Sequence, residues 1–322
     1  MRRDVLERPT GTLPRRHGMY TGAPEMEAIL RLIGRAARTD CTVLVRGETG
    51  SGKELVARAI HAASARARRP FLAVNCATLS PTLLESELFG HVRGAFTGAI
   101  ADHDGLFKRA DKGTLFLDEI AEMPLDIQAR LLRVLEDRTF VPLGGSRPVH
   151  SDVRLISATH RALRDETAAG RFREDLRYRI RVVPLFLPPL RDRTGDVERL
   201  VWHFIDQGNG GGLRRVERVR RAAMDALVRH DWPGNVRELR NVVEYAFVVG
   251  DGPVLELADL PPELRGEPSP GTRATSLAQR ERERIVAALD AHRGRRGEAA
   301  RALGMSRSTL WRKLYQHGLE PH

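Results

Sequence analysis

The sequence predicts an α/β fold built on a parallel sheet, continued by a helical subdomain and then by a separate all-α unit. Three observations carry this. The apolar run Cys41–Val45 leads into the glycine-rich Gly47–Glu54 (GETGSGKE), which opens the helical pattern Leu55–Ile60. Short runs apolar on both faces, Thr42–Val45, Phe71–Val74, Thr114–Leu117, Val153–Ser157 and Val182–Leu187, alternate with helical patterns, as in a parallel sheet covered by helices on both sides. After Leu190 the apolar spacing becomes helical.

Residues 1–18 are polar and broken by Pro9, Gly11 and Pro14, and they read as a flexible leader with no room for a receiver or ligand-binding domain. Met26, Ile29, Leu30, Ile33 and Ala37 then recur at helical spacing, giving a helix ahead of the first strand. The spacing of Gly47, Gly52 and Lys53 fits the phosphate-loop pattern GxxxxGK. Gly47, Glu48, Thr49, Gly50, Ser51 and Gly52 would offer backbone N–H groups at a helix N-terminus, and Lys53 would reach the β- and γ-phosphates. Glu54 stands where Ser or Thr usually supplies a hydroxyl to magnesium, so the metal must lean on other ligands.

The third strand ends in Asp118-Glu119, at the carboxyl edge where ligands of open α/β sheets collect. Asp118 is the candidate to hold Mg2+, directly or through water, and Glu119 to polarise the attacking water; the plainer alternative is a surface acidic pair ending a strand. Asn75, ending the second strand, could hydrogen-bond Glu119 and hold it idle, or simply terminate the strand. Between these strands Gly94–Ala99 (GAFTGA) interrupts the helical patterns Leu83–Phe89 and Gly105–Ala110. It sets Phe96 between glycines, so the ring either protrudes toward a partner or buries itself in its own domain.

The run Glu87–Ala99 (ELFGHVRGAFTGA), with GETGSGKE before it and GTLFLDE after, resembles the AAA+ domain of sigma-54-dependent transcriptional activators, the bacterial enhancer-binding proteins. The resemblance continues through Gly170–Leu190 (GRFREDLRYRIRVVPLFLPPL) and Trp232–Leu239 (WPGNVREL). It implies an ATPase using ATP and Mg2+, with an α/β subdomain over 19–190 and a helical lid over 191–265. It further implies that Gly94, Ala95, Phe96, Thr97, Gly98 and Ala99 contact sigma-54 and move as ATP is hydrolysed. Thr159 matches a sensor position near the γ-phosphate, followed by His160 where the family commonly has Asn, and Arg237 matches a second sensor on the lid. Arg173 and Arg179 match two arginines inserted into a neighbouring subunit's site, where they stabilise charge on the transferring phosphoryl group. The consequence is a ring, a hexamer by resemblance, whose lone subunit hydrolyses ATP poorly. Without the family, each of these arginines reads as a surface charge.

Asp196–Ile205 and Val219–Val228 are helical on either side of the loop Gly208–Gly212. Trp232-Pro-Gly then turns into a helix running to Val249, with Asn235 placed to cap it. Residues 266–276 (GEPSPGTRATS) read as a linker. Beyond it, Leu277–Leu289, Glu298–Leu303 and Ser306–Gln316 form helices with Gly304 at a turn, a helix-turn-helix domain over 277–322 in which Ser306 is the N-cap. Leu310 and Leu314 face its core, leaving Arg307, Ser308, Thr309, Arg312 and Lys313 for bases and phosphates, or, on the plainer view, as solvated charges of a docking module. AARALGMSRSTLWRKL resembles the Fis-type DNA-binding domain that ends these activators, with Arg295 where that family often has Asn.

Charge points the same way. The net charge is +11, nearly all of the positive side chains are arginine, and Arg273–His322 carries eleven Lys or Arg against five Asp or Glu, so nucleic acid is the first suspect. Cys41 and Cys76 lie in apolar runs and suggest buried thiols in a reducing compartment. No stretch is apolar enough to span a bilayer and the opening Met-Arg-Arg-Asp lacks a secretory pattern, so a cytoplasmic location and no membrane partner are expected.

The expected protein is a transcription activator and ATPase. Its C-terminal domain would bind double-stranded upstream sites as a dimer, and its ATPase ring would drive the GAFTGA loop against sigma-54 RNA polymerase holoenzyme, converting a closed promoter complex to an open one. Regulation would come from a separate protein in trans or from the rest of a longer regulator. The rivals are a DNA-binding repressor or scaffold that uses ATP only for assembly, and an AAA+ unfoldase or helicase, for which no pore loop or strand-binding groove is evident.

Overall fold

The computed structural model describes residues 4–8, 15–16, 18–212, 214–267, 282, 284–292 and 295–316, in two compact units, Met1–Leu260 and Pro261–His322. In the first unit five parallel strands form the central sheet: β1 (Val43–Arg46), β2 (Phe71–Asn75), β3 (Thr114–Asp118), β4 (Arg154–Thr159) and β5 (Val183–Phe186). Their order is β5-β1-β4-β3-β2, and every strand end lies within two residues of the apolar run that predicts it. β4, in the middle, is buried along its whole length.

Side-chain alternation splits the sheet into two cores. Leu44, Leu115, Leu117 and Leu155 pack on one face with residues of α3 (Pro81–Phe89), α4 (Leu106–Arg109), α5 (Leu125–Asp137), α6 (Leu163–Ala168) and α7 (Glu174–Ile180). Val43, Val45, Phe116, Ile156 and Ala158 pack on the other with α1 (Pro24–Ala37) and α2 (Lys53–Ala62). α1 begins with Pro24 and places Glu25 and Glu27 in its first turn, where a fixed φ and negative charge both suit a helix start.

The rest of the first unit is the helical subdomain, α8 (Asp196–Asn209), α9 (Arg221–Arg229) and α10 (Asn235–Val249), with short strands Arg218–Arg220 and Val254–Leu255. α8 runs into the glycine stretch expected to be loop, and Val219 belongs to a strand rather than to the start of α9. The flexible leader expected over 1–18 is corrected at its described residues. Val5–Glu7 pairs antiparallel with Arg218–Arg220, Arg15–Arg16 pairs with Met19–Tyr20, and Arg8 meets Asp206 at 2.7 Å. An open sheet edge offers unpaired N–H and C=O groups that recruit even a three-residue segment, and such pairing leaves no hydrophobic period to read.

Asn235 does not cap α10. It is that helix's first residue, fully buried, at φ 53°. Its Oδ1 accepts the Leu190 N–H (2.7 Å), while its Nδ2 donates to Glu48 Oε2 (3.0 Å) and to the Thr49 carbonyl (3.1 Å). A buried amide must satisfy both ends, and here that requirement is met by tertiary contacts in place of a local cap. Glu238 takes the capping task, accepting the Gly234 N–H at 2.8 Å. Arg191 grips the same Glu48 with two bonds of 2.6 and 3.0 Å, so the helical subdomain is tied to the glycine loop itself.

In the second unit residues 284–291 are helical, followed by α11 (Arg296–Ala302) and α12 (Arg307–Gln316). Ile285, Ala299, Ala300, Leu310 and Leu314 form its core. Ser306 Oγ accepts the Thr309 N–H at 3.1 Å, the N-cap expected from the sequence. Most of the expected linker 266–276 and the start of the helix expected from Leu277 lie outside the described residues. Among the described residues no helix is long and apolar enough to cross a membrane.

Two outcomes follow from this packing. Leu115→Ala, which empties a fully buried position of β3, should destabilise the first unit by about 2–5 kcal/mol, read as a lowered urea midpoint. Asn235→Ala should speed amide hydrogen exchange in the first turn of α10 while leaving β4 protected, because it removes the side-chain ties between that turn and the glycine loop and leaves the Val236 N–H on the Gly50 carbonyl.

Candidate functional site

The parallel register brings the chemistry to one edge. Arg46 pairs with Thr159, Leu117 with Ser157 and Asn75 with Asp118, so β1, β4, β3 and β2 all end at the same level. There the loop 47–52 leaves β1, with Gly47 N–H on the Thr159 carbonyl (3.3 Å). Gly50 and Gly52 adopt φ of 76° and 103°, and a Cβ at Gly50 would run into the Gly234 carbonyl of the helical subdomain. No side chain caps α2, which leaves its first N–H groups open to an anion. Ser51 Oγ is buried without a hydrogen-bond partner. A cradle that excludes Cβ atoms, an uncapped helix start and an orphaned hydroxyl together fit a nucleotide phosphate chain.

Lys53 is 7% exposed and its Nζ lies 3.0 Å from the Gly47 carbonyl and 3.2 Å from Glu119 Oε1. Glu119 leaves β3 in a left-handed turn, φ 50° and ψ 49°. Its Oε2 accepts from the His160 N–H (3.2 Å) and His160 Nδ1 (2.7 Å). The contact expected between Asn75 and Glu119 is not made. Asn75 Nδ2 instead reaches Asp118 Oδ2 at 3.4 Å, its register partner, while its Oδ1 accepts the Ala77 N–H. The left-handed turn sends Glu119 to β4 and the loop lysine, away from β2.

The two carboxylates differ electrostatically. Burial, then repulsion from Glu119, holds the Asp118 carboxyl above its ordinary range. Burial also pushes Glu119 up, but the His160 hydrogen bond and the Lys53 charge outweigh it and leave the group below its ordinary value. Cys76, 3% exposed beside them, has its thiol pushed up to about 12 by burial and then by both carboxylates. Cys41 is only half-buried, and both cysteines are free.

Among the described residues no three His, Cys, Asp or Glu side chains could hold a metal ion by themselves. One acidic group, Asp118, beside a phosphate cradle fits an Mg2+ that shares its ligands with phosphates and water. Glu54 is committed to Arg58 at 2.7 and 2.9 Å. Thr159 is fully buried, with its Oγ1 accepting the Arg161 N–H. Arg237 is exposed, and its Cβ stands over Gly50. A cavity of about 390 Å³ adjoins Ser51 and Gly52 and is walled by Val236 of the WPGNVREL stretch and by Met19, Tyr20, Arg193 and His203, which no sequence motif singles out. Tyr20 stacks on His203 with ring centroids 3.7 Å apart.

Arg173 and Arg179 have partners in their own chain. Arg173 pairs bidentately with Asp175 (2.7 and 3.1 Å), and Arg179 Nη2 donates to the Leu135 carbonyl (2.7 Å). Gly94–Ala99 forms the tip of the connection between α3 and α4, closed by the Gly94 N–H on the Ala99 carbonyl (2.8 Å). Phe96 does not stand free: its ring meets His91 edge-on at 4.9 Å. Thr97 is exposed, as is Ile100 at 86%, a residue the motif does not include. A second hairpin, Thr139–Phe140 with Val149–His150, braces this tip through the Val92 N–H on the Leu143 carbonyl (3.0 Å).

In the second unit Arg307, Ser308 and Arg312 are exposed, whereas Thr309 and Lys313 are half-buried, and Thr309 is engaged with Ser306. The same helix exposes Trp311 (62%) and Tyr315 (68%), stacked at 6.3 Å, which the charge pattern overlooks.

Comparison with known proteins accords with this geometry. The sigma-54 interaction domain family matches residues 19–186, an AAA+ ATPase lid domain matches 191–277, and the Fis family of bacterial regulatory proteins matches 276–317. The chain is 45% identical to the regulatory protein AtoC of Escherichia coli K12 over 314 residues, covering 94% of this chain and 68% of that protein. It is 44% identical to the DNA-binding transcriptional regulator NtrC of the same organism, covering 92% and 70%. The crystal structure of NtrX from Brucella abortus in complex with ATP is similar at a TM-score of 0.70 and 38% identity, over 93% of this chain and 69% of that one. A phosphate-loop sheet, a lid and a Fis-type unit in this order, matched along nearly the whole sequence, place the chain in the family of sigma-54-dependent transcriptional activators of the AAA+ class.

Proposed function

We propose that this chain is an ATP-driven remodeller of sigma-54 RNA polymerase holoenzyme, tethered to upstream double-stranded DNA by its C-terminal domain and acting in the cytoplasm. The observation that carries the reading is a phosphate-binding edge with both carboxylates in place, on the same α/β unit as the GAFTGA tip, whose Gly94, Thr97 and Gly98 are exposed. The ATP bound by the similar NtrX structure supports the choice of nucleotide. The domains are then the ATPase subdomain 19–190, the lid 191–265, the linker 266–276 and the helix-turn-helix domain 277–322.

In this reading Gly47–Gly52 and Lys53 bind the phosphates, and the cavity walled by Tyr20 and Val236 takes the base. Asp118 would hold Mg2+, and the ion when bound would supply positive charge beside the transferring phosphoryl group. Glu119 takes a proton from the attacking water; Thr159 and Arg237 report the phosphates to the sheet and lid, and Asn75 orients Asp118. Arg173 and Arg179 leave their own-chain partners to complete a neighbour's site. Arg173 and Asp175 are both more than a third exposed, so their pairing costs little to break. A ring is therefore required for full turnover, and its strokes move Phe96 and Thr97 against sigma-54.

On α12, Arg307, Ser308 and Arg312 face DNA, while Thr309 and Lys313 contribute from the helix flank. Thr97→Ala should keep ATPase activity within about threefold of the parent yet lose transcription from a sigma-54 promoter, since the tip lies on the connection between α3 and α4 while the carboxylates stand at the end of β3. Equal loss of both activities would make the loop structural. Glu119→Gln should bind ATP but turn it over at least about 100-fold more slowly; unaltered turnover in that variant would remove Glu119 as the base, and ATP binding without turnover in the parent would leave ATP as an assembly ligand only. Specific ATPase activity should fall on dilution below the ring-forming concentration, measured by phosphate release, because the arginines then have no neighbour's site to enter.

A further inference from the structure

Glu119 is held at both carboxylate oxygens, by two residues that nucleotide would treat differently. Oε1 is 3.2 Å from Lys53 Nζ, and Oε2 accepts both the backbone N–H (3.2 Å) and Nδ1 (2.7 Å) of His160. Lys53 belongs to the phosphate loop, so an incoming phosphate chain competes for its ammonium and frees Oε1. His160 lies on the other flank, immediately after β4, and its backbone N–H and ring nitrogen form a two-point clasp. A carboxylate oxygen can only accept, so Nδ1 is the donor. Asn75 is not available for the task, being bonded to Asp118 and Ala77.

We propose that His160 is a positioning residue for hydrolysis: its clasp on Oε2 aims the free Oε1 of Glu119 at the attacking water. In that step the water oxygen bonds the γ-phosphorus, its proton passes to Oε1, and the P–O bond to the departing ADP breaks with its electron pair on the ADP oxygen. The inference rests on the reading of Glu119 as the base. Glu119 stands in a left-handed turn between β3 and the short 3-10 helix Ile120–Glu122, to which its side chain makes no cap bond, so once Lys53 turns to phosphate the clasp supplies the orientation that the backbone does not.

Side-chain reach makes the proposal testable. In histidine Nδ1 is two bonds from Cβ, and so is Nδ2 in asparagine; His160→Asn keeps a donor at that position, while His160→Ala and His160→Phe do not. With the full chain at ring-forming concentration and saturating ATP and Mg2+, His160→Ala and His160→Phe should each lower kcat about tenfold with KM for ATP changed less than about twofold. His160→Asn should stay within about threefold of the parent. His160 is 41% exposed, so the alanine variant is expected to fold, checked by an unchanged thermal melting temperature. Parental kcat in the alanine and phenylalanine variants would overturn the proposal, as would equal loss in the asparagine and alanine variants. Glu119→Gln, run alongside, separates the two levels. An active Glu119→Gln removes the reading of Glu119 itself, and an inactive one beside a fully active His160→Ala removes only the positioning role.

Discussion

The parallel register of the five-stranded sheet is the constraint on which the rest depends. Because β1, β2, β3 and β4 run the same way and end level, residues separated by up to 113 positions in sequence, Arg46 and Thr159, stand side by side. No loop has to reach across the molecule to assemble the site. The rigidity of the edge comes from two-sided burial. β4 is buried along its length, and the strands flanking it contribute alternate residues to two separate cores, so the ends of the strands cannot shift without disturbing both.

On that edge the local electrostatics are nearly balanced by design of the contacts. Two adjacent carboxylates in a partly buried setting would repel and draw protons, and Asp118 does sit above its usual range. Glu119 escapes because a histidine and a lysine flank it and hold its carboxyl below the ordinary range, so the two members of the pair are driven apart. The lid is linked to the same place by a different interaction. Glu48, within the glycine loop, is held by Arg191 and Asn235, and these hydrogen bonds keep its carboxyl below the ordinary range. A change in the loop is therefore felt directly at the first turn of α10 and at the segment that leads into α8.

The sequence is most legible where a physical requirement repeats along it. The strands show as apolar runs because both faces are covered, and the glycines of the phosphate loop show because a positive φ and a close approach to the Gly234 carbonyl admit no side chain. The core positions Leu310 and Leu314 and the cap Ser306 are fixed by helical spacing and by the first-turn N–H groups. Legibility fails where a residue's partner is distant. Asn235 has the composition of a cap and spends its amide on Glu48 and Leu190; Asn75 ends a strand beside the acidic pair and reaches Asp118 rather than Glu119. Val5–Glu7 carries no period and still pairs with an edge.

The sequence by itself determined the class of the sheet, the place of the phosphate loop and acidic pair along the chain, and the helix-turn-helix character of the last segment. These are settled by local spacing, steric exclusion and the covering of apolar faces. Only the tertiary structure decided which oxygen of Glu119 meets Lys53 and which meets His160, that Phe96 leans on His91, and that Tyr20 and Val236 wall the cavity beside the loop. Hydrogen-bond partners across the fold depend on backbone turns such as the left-handed one at Glu119 and on which strand ends are neighbours, and neither is encoded within any short stretch of residues.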